Sequence, residues 1–173
     1  PTITQVGDPN QPTPFGFAFA RSASFRPGHL IVTEPFGATP VIPAAPFSAV
    51  SSFALSDDGE LDVISSSVPN GRGTSCWIAL DPRSRYAYIG NNATSDISSY
   101  SIGNDGSLTL LEAVAATGNL PNDLAVARDN NGSRFLYVLN SGNGTVGAFR
   151  INNDGSLTSL GAVGGLPVDA GAQ

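Results

Sequence analysis

The chain has little of what several classes of protein require. It contains a single cysteine, Cys76, which excludes an intramolecular disulfide and a cysteine-rich metal site. Only 8 basic residues stand against 14 acidic ones and no two of the basic residues adjoin, so the clustered positive charge that binds nucleic acid or an anionic membrane is missing. No apolar run approaches the roughly 20 residues of a membrane helix.

Methionine is also absent, and no signal peptide precedes the first residues. We therefore expect the start of the gene product to be missing, by processing or by truncation. One cysteine leaves the cellular compartment open, and a soluble protein that is secreted or periplasmic is favoured over a cytoplasmic one.

Glycine and proline are abundant, with 20 and 13 residues, whereas charged residues make up only 13%. Both residues are unfavourable inside helices and natural in tight turns between short strands. Apolar residues make up 40% of the chain, which is enough for a packed core. The composition therefore favours an all-β fold.

An internal repeat is the main signal in the sequence. The hexapeptide Asn-Asp-Gly-Ser-Leu-Thr occurs at 104–109 and again 49 positions later at 153–158, and a fainter copy around Asp58-Gly59 lies 47 positions before Gly106. Asp-Gly between two β-rich runs is a strong hairpin signal, because glycine accepts the positive φ of the turn.

Four short apolar or alternating runs surround each copy of the turn, as in 124–127, 135–139, 146–151 and 159–163. Four strands with a period of 47 to 49 residues are typical of a β-propeller, which repeats four-stranded antiparallel blades around a channel. The small residues of the first strand suit the crowded channel. We predict three whole blades and two partial ones, with approximate bounds 15–65, 74–115 and 121–164 for the blades and 1–14 and 165–173 for the stubs.

An arc of this kind leaves blade faces uncovered. Propellers close with at least four blades, and each blade needs neighbours on both sides. We expect the partner to be the remaining blades, supplied by another piece of the same gene product or by a second copy of the chain.

The sequence pattern of the last repeat resembles the lactonase family of seven-bladed propellers. The pattern consists of Phe135-Leu136-Tyr137-Val138-Leu139-Asn140, then Phe149-Arg150-Ile151, then Asp154-Gly155-Ser156-Leu157-Thr158. That family includes enzymes of the 6-phosphogluconolactonase type and the carboxymuconate lactonizing type. The resemblance covers essentially the whole chain. It implies a seven-bladed ring and, as one reading of the function, chemistry on small lactones.

The family's enzymes tend to carry Arg and His just before an inner strand and Asn-Glu at the end of a second strand. The stretches that match the first position, 14–17, 74–77 and 121–124, contain neither Arg nor His. Thr33-Glu34 occupies the place of the Asn-Glu pair at the end of a second strand. These departures favour a scaffold that binds a small molecule or protein through its loop-bearing channel face. The alternative is a hydrolase or cyclising enzyme for small lactones, with Glu34 helped by residues of the missing blades.

Loops gather on one face of a propeller, and function usually lies in such loops. At the second-strand ends this face receives Glu34, Asn91, Asn92, Asn140 and Ser141, and in the inter-blade loops it receives Arg72, Ser75, Cys76, Asn122, Asp123 and Asp169. Glu34 replaces the Asn of the other two blades, so it is the candidate general base or cation ligand. Its alternative role is to pair with an Arg or to cap a turn.

Other features have competing readings. Residues 35–47, with four prolines, form a lid, a contact with another chain or a plain elaboration of the blade. Asp123 and Asp169 recur at matching places, as a ring of carboxylates or as turn-stabilising Asx motifs. We read His29 and Cys76 as structural. No zinc signature, phosphate loop, dinucleotide fingerprint or Gly-x-Ser-x-Gly elbow occurs, so we expect no cofactor and no metal.

Overall fold

The computed structural model describes residues 14–21, 28–36 and 48–168, and these form twelve β-strands without a helix. Each set of four consecutive strands makes one antiparallel sheet in simple sequential order. These are the predicted propeller blades, so the fold class is confirmed. The predicted stub 1–14 and Asp169 onward lie outside the described residues, apart from Pro14.

The strands fall into three blades. Blade 1 consists of β1 (Phe17–Ala20), β2 (His29–Glu34), β3 (Ala49–Leu55) and β4 (Leu61–Pro69). Blade 2 consists of β5 (Ser75–Leu80), β6 (Tyr86–Asn91), β7 (Asp96–Ile102) and β8 (Leu108–Thr117). Blade 3 consists of β9 (Pro121–Arg128), β10 (Arg134–Asn140), β11 (Thr145–Ile151) and β12 (Leu157–Gly164).

The Asp-Gly turns join the third and fourth strands of every blade, as the repeat predicts. Gly59, Gly106 and Gly155 adopt φ values of +85°, +85° and +88°, a region that side chains disfavour. In the second and third turns the aspartate accepts hydrogen bonds from the backbone N–H and hydroxyl of the following serine, for example Asp154 from Ser156 at 3.0 and 2.7 Å. The repeated hexapeptide is therefore a complete turn unit.

The outer strands β4 and β8 are longer than the sequence indicated. Their pairing with β3 and β7 is interrupted twice by bulges, between Val50 and Phe53 and between Ile97 and Tyr100. A bulge inserts extra residues on one strand, so the strand continues further before it reaches the edge of the sheet. The alternation of apolar residues carries no sign of such an insertion.

Apolar side chains fill both junctions between blades. Between blades 1 and 2, Ile31 and Val50 pack with Ile89 and Tyr100, all of them inaccessible to solvent. Between blades 2 and 3, a second cluster places buried side chains of both blades together: Ala79, Tyr88, Ile97, Leu124, Leu136, Val138, Phe149 and Ile151. Each fully buried large apolar side chain contributes about 1.5–3 kcal/mol, so these junctions stabilise the arc.

A buried ion pair also crosses the second junction. Arg134, at the start of β10, donates from Nη1 to Asp81 Oδ2 at 2.5 Å, and the two side chains are 5% and 0% exposed. Arg134 Nη2 donates to the carbonyl of Asn152 and to Asn153 Oδ1, both at 3.1 Å. One guanidinium thereby joins the end of β5 to the Asp-Gly turn of blade 3.

The two outermost faces of the arc lack a neighbouring blade among the described residues. The open face of blade 1 consists of the exposed side chains Phe17, Phe19, Leu61 and Val63. The open face of blade 3 surrounds Tyr137 and Val163, which are 39% and 75% exposed. Tyr88, the equivalent of Tyr137 in blade 2, is inaccessible because blade 3 covers it.

Candidate functional site

The second strands of the three blades end on the same edge of the arc, which we call the loop edge. Glu34, Asn91 and Asn140 are the last residues of β2, β6 and β10, and each pairs with the first residue of the following strand. The structure thus places the strand-end candidates at equivalent points of successive blades. What each side chain does there differs.

Asn91 lies at the centre of a buried polar cluster. Its Nδ2 donates to Asp96 Oδ1 at 2.8 Å and to Ser98 Oγ at 2.7 Å. Its Oδ1 accepts from Ser75 Oγ at 2.5 Å and from Asn70 Nδ2 at 3.1 Å. Every donor and acceptor of this amide is therefore used within the chain, which fixes the loop edge between blades 1 and 2.

Arg72 joins the same cluster through Asp96. Its Nε donates to Asp96 Oδ1 at 3.1 Å and Oδ2 at 2.9 Å, and Nη2 also contacts Oδ2. Asp96 is 2% exposed, whereas the Arg72 side chain is 27% exposed. The guanidinium therefore compensates a buried carboxylate. Sequence reasoning missed Asp96, although its place directly opposite Asn91 in the repeat would have identified it.

Glu34 is hydrogen-bonded at both carboxylate oxygens. Ser51 Oγ donates to Oε1, and Ser67 Oγ donates to Oε2 at 2.7 Å. Ser67 N in turn donates to Ser51 Oγ at 2.8 Å, so β2, β3 and β4 are joined through this one carboxylate. Burial first, and then the negative charge of Glu34, raises the pKa of Tyr100 above its ordinary value. Among the described residues, the hydrogen-bond partners of Glu34 are these two serines.

Asn140, Ser141 and Asn92 hold the loop that leads into blade 3. Asn140 Oδ1 accepts from Asn119 N at 2.9 Å and its Nδ2 donates to Thr145 Oγ1 at 3.2 Å. Ser141 Oγ donates to the carbonyl of Leu120 at 2.9 Å. Asn92 Nδ2 reaches the carbonyl of Pro121 at 3.4 Å.

Four of the residues that the sequence assigned to inter-blade loops lie instead in strands. β5 begins at Ser75 and β9 at Pro121, so the first strands take in Ser75, Cys76, Asn122 and Asp123. The loops are short because backbone pairing with the second strand extends to its last residue. Asp123 accepts from the N–H of its neighbour Leu124 at 2.7 Å and points to the exposed side of β9. Asp169 and residues 37–47 of the proline-rich insertion lie outside the described residues.

His29 lies away from the loop-edge cluster, whereas Cys76 directly follows Ser75 of that cluster in β5. His29 begins β2, at the opposite end from Glu34, and its ring lies against the Asp-Gly turn of blade 2. Burial lowers the pKa of His29, partly opposed by the charge of Asp105. Burial raises the pKa of the Cys76 thiol, which therefore stays protonated at neutral pH and is a poor nucleophile.

Nowhere in 14–21, 28–36 or 48–168 do three or more His, Cys, Asp or Glu side chains group as metal ligands would. The same ranges hold no helix with the length and hydropathy to cross a membrane. The loop edge thus presents amides, hydroxyls and carboxylates that are bonded to one another.

Residues 44–125 match the model of a protein family described as Lactonase, 7-bladed beta-propeller. A functionally unknown protein from Desulfotomaculum acetoxidans DSM 771 shares the fold with a TM-score of 0.70 and 23% identity, over 90% of this chain and 43% of that one. The periplasmic gluconolactonase of Pseudomonas aeruginosa has a TM-score of 0.59 and 18% identity, over 92% of this chain and 44% of that one. An auxiliary nutrient binding protein from Bacteroides ovatus has a TM-score of 0.56 and 16% identity, over 89% of this chain and 32% of that one.

This chain spans less than half the length of these three structures, and at such identities they show a common fold. No curated protein sequence matches it. The predicted resemblance to the lactonase-type propellers is confirmed by the family match.

Proposed function

We propose that this chain, which resembles the lactonase-type seven-bladed β-propellers over residues 44–125, is a scaffold that binds a small molecule or protein at its loop edge and performs no lactone chemistry with its own residues. One observation carries the proposal: the polar groups that would act as acid, base or anion-binding group are bonded to partners within the chain. Glu34 is held by Ser51 and Ser67, and Arg72 is held by Asp96.

A general base must be directed to the proton that it removes, and one hydroxyl hydrogen bond at each carboxylate oxygen directs Glu34 to Ser51 and Ser67. An anion-binding arginine must present its guanidinium to the ligand, and Arg72 directs Nε and Nη2 to a nearly inaccessible aspartate. These bonds position the loop edge firmly. A rigid loop edge favours binding, because little order is lost when a ligand arrives.

The test is a panel of sugar and muconate lactones assayed with the wild-type protein and with Glu34→Gln. We expect no turnover above the buffer rate for either protein, together with saturable binding of a small molecule or protein by both. Glu34→Gln keeps the size of the side chain and one oxygen acceptor, so the fold should be retained with a loss of about 1 kcal/mol.

Turnover by the wild type that disappears in Glu34→Gln would overturn the proposal and assign catalysis to Glu34. Turnover that survives the substitution would favour the alternative, a lactone hydrolase or cyclising enzyme whose reacting groups come from other blades. Ser56→Ala, at an exposed turn in the same blade, is the control for general effects on blade 1.

We further propose that the two open faces bind additional blades, either another piece of the same gene product or a second copy of the chain. The support is the repeat itself: the faces equivalent to them within the arc are covered by a neighbouring blade. Exposed aromatic and aliphatic groups of this size are otherwise unfavourable in water.

Light scattering after size exclusion should therefore report an assembly larger than one chain, and Val163→Asp should reduce its mass. The matched control is Leu111→Asp, which places the same charge on an exposed residue of β8 in the middle blade. A folded, stable monomer at high concentration would contradict this proposal.

A further inference from the structure

The junction between blades 2 and 3 contains a cavity of about 500 Å³ on its outer side, which we call the wedge cavity. It lies between β8 of one blade and β11 and β12 of the next, and it reaches the loop edge at Asn140. In a propeller the inner strands converge and the outer strands diverge, so each junction is wider on the outside. Its lining includes Gly118, Asn119, Asn140, Thr145, Gly147 and Phe149.

Two hydrogen bonds cross the corresponding space between blades 1 and 2. The hydroxyl of Tyr100 donates to the carbonyl of Val68 at 3.0 Å, and Leu108 N donates to Ser65 Oγ at 3.0 Å. The equivalent of Tyr100 in blade 3 is Phe149, which has no hydroxyl to donate. The outer strands of blades 2 and 3 are therefore not drawn together in this way.

Side chains that fill the first junction at the loop edge are replaced by glycine in the second. Asn70 corresponds to Gly118 and Ser98 corresponds to Gly147. The connecting segment is also shorter, with three positions from Gly118 to Pro121 against five from Asn70 to Ser75. The wedge cavity is thus the place that the polar cluster around Asn91 occupies one blade earlier.

The lining of the wedge cavity is polar but uncharged, with one aromatic ring. Asn140 Nδ2 carries two hydrogens, and Thr145 Oγ1 is the one acceptor that it reaches within the described ranges, so a hydrogen is available to a ligand. Asn119, Asn143 and Ser159 add further donors and acceptors. Phe149, which is 8% exposed, contributes a small apolar area beside them.

We propose that the wedge cavity binds an uncharged polyhydroxylated molecule of about the size of a monosaccharide. Hydroxyls match the neutral amides, and the C–H groups of a sugar ring match the apolar part of the lining, such as Leu157 and Ala162. No charged side chain lines the cavity, so an anionic ligand would lose its hydration without gaining a counter-charge. The volume lies within the roughly 300–1,000 Å³ usual for small-molecule sites. This inference rests on the proposed binding function and assigns it a place and a ligand class.

Gly147→Ser tests the site by restoring the residue of the other two blades. A Cβ atom at Gly147 would lie 3.3 Å from both Asn140 Nδ2 and Phe149 Cε2, a tight contact that side-chain adjustment relieves. The new hydroxyl is then placed to accept from Asn140, as Ser98 Oγ accepts from Asn91 Nδ2 at 2.7 Å. The substitution therefore narrows the cavity beside Asn140 and uses the available donor of that amide without leaving a polar group unpaired.

The probes are glucose, galactose and myo-inositol, with gluconate and glucose 6-phosphate as anionic counterparts, followed by calorimetry and by the side-chain amide resonances of Asn140. We expect the wild type to bind a neutral probe in preference to the anions, and Gly147→Ser to weaken that binding at least tenfold with unchanged or higher stability. Ala127→Ser, which adds a hydroxyl at an exposed position of the same blade, should bind as the wild type does.

Absence of neutral-probe binding, preference for the anions, or equal binding by Gly147→Ser would each overturn the inference. Lactone turnover measured on the same samples is a separate readout. Turnover lost in Glu34→Gln would overturn the proposed function even if the neutral probe occupies the wedge cavity, and binding elsewhere without turnover would leave the proposed function standing.

Discussion

Gly155→Ala is expected to destabilise the protein by about 2–5 kcal/mol, the sum of a backbone and a packing penalty. The glycine has φ +88°, where an alanine costs about 1–2 kcal/mol. A Cβ atom there would also lie 2.6 Å from the ring of Tyr86, well inside contact distance. Tyr86 cannot move freely, because its hydroxyl donates to the carbonyl of Asn153 at 2.9 Å. Urea unfolding followed by tryptophan fluorescence measures the loss.

Gly59→Ala is the matched control for this substitution. Gly59 has nearly the same φ, +85°, in the same kind of turn, and no atom lies within 4 Å of its would-be Cβ. The stability lost in Gly59→Ala should therefore be limited to the backbone penalty of about 1–2 kcal/mol. Equal losses of stability in Gly59→Ala and Gly155→Ala would show that the overlap of the new Cβ atom with Tyr86 has no energetic cost.

Removing one partner of the Asp81–Arg134 ion pair should be the most damaging single change of a charge. Arg134→Met leaves Asp81 inaccessible and without its guanidinium partner, which costs about 3–5 kcal/mol. The same substitution removes two hydrogen bonds to the Asp-Gly turn of blade 3. Since the pair crosses the junction of blades 2 and 3, we expect a lower urea midpoint and faster amide exchange in both blades.

Two comparisons separate the contribution of burial from that of charge. Arg128→Met, at an exposed position of β9, should change the stability by less than about 0.5 kcal/mol. Adding Asp81→Ala to Arg134→Met should recover part of the loss, because no buried charge is then left unpaired. A double variant as unstable as the sum of the two single variants would show that the two charges do not interact.

Most of the fold was predictable from the sequence because a repeat reports one structural unit several times. The Asp-Gly turns, the four strands of each blade and the place of Glu34, Asn91 and Asn140 at strand ends follow from spacing alone. Glycine with a positive φ and alternating apolar residues are local properties. Local properties can be read along the chain.

The bonds that decide what the candidate residues do were not predictable in this way. Asp96 contacts Arg72 across 24 positions, and Glu34 contacts Ser67, which lies in the bulged part of β4, across 33 positions. An isolated Arg or Glu in a sequence therefore gives no indication of whether its charge is directed to a ligand or to the interior. The positions of the candidate residues follow from the sequence, whereas their bonding partners follow from the tertiary structure.

In blades 1 and 2 the second strand begins with a ring that contacts the Asp-Gly turn of the next blade, and this contact has a consequence for any blade added after blade 3. His29 lies against Gly106, and Tyr86 lies against Gly155 one blade later. Phe135 holds the same position in blade 3 and belongs to the series. A blade that docks on Tyr137 is therefore expected to bring a glycine in the left-handed region to meet Phe135. This backbone angle is one condition for a neighbouring blade, in addition to the apolar packing of the junction.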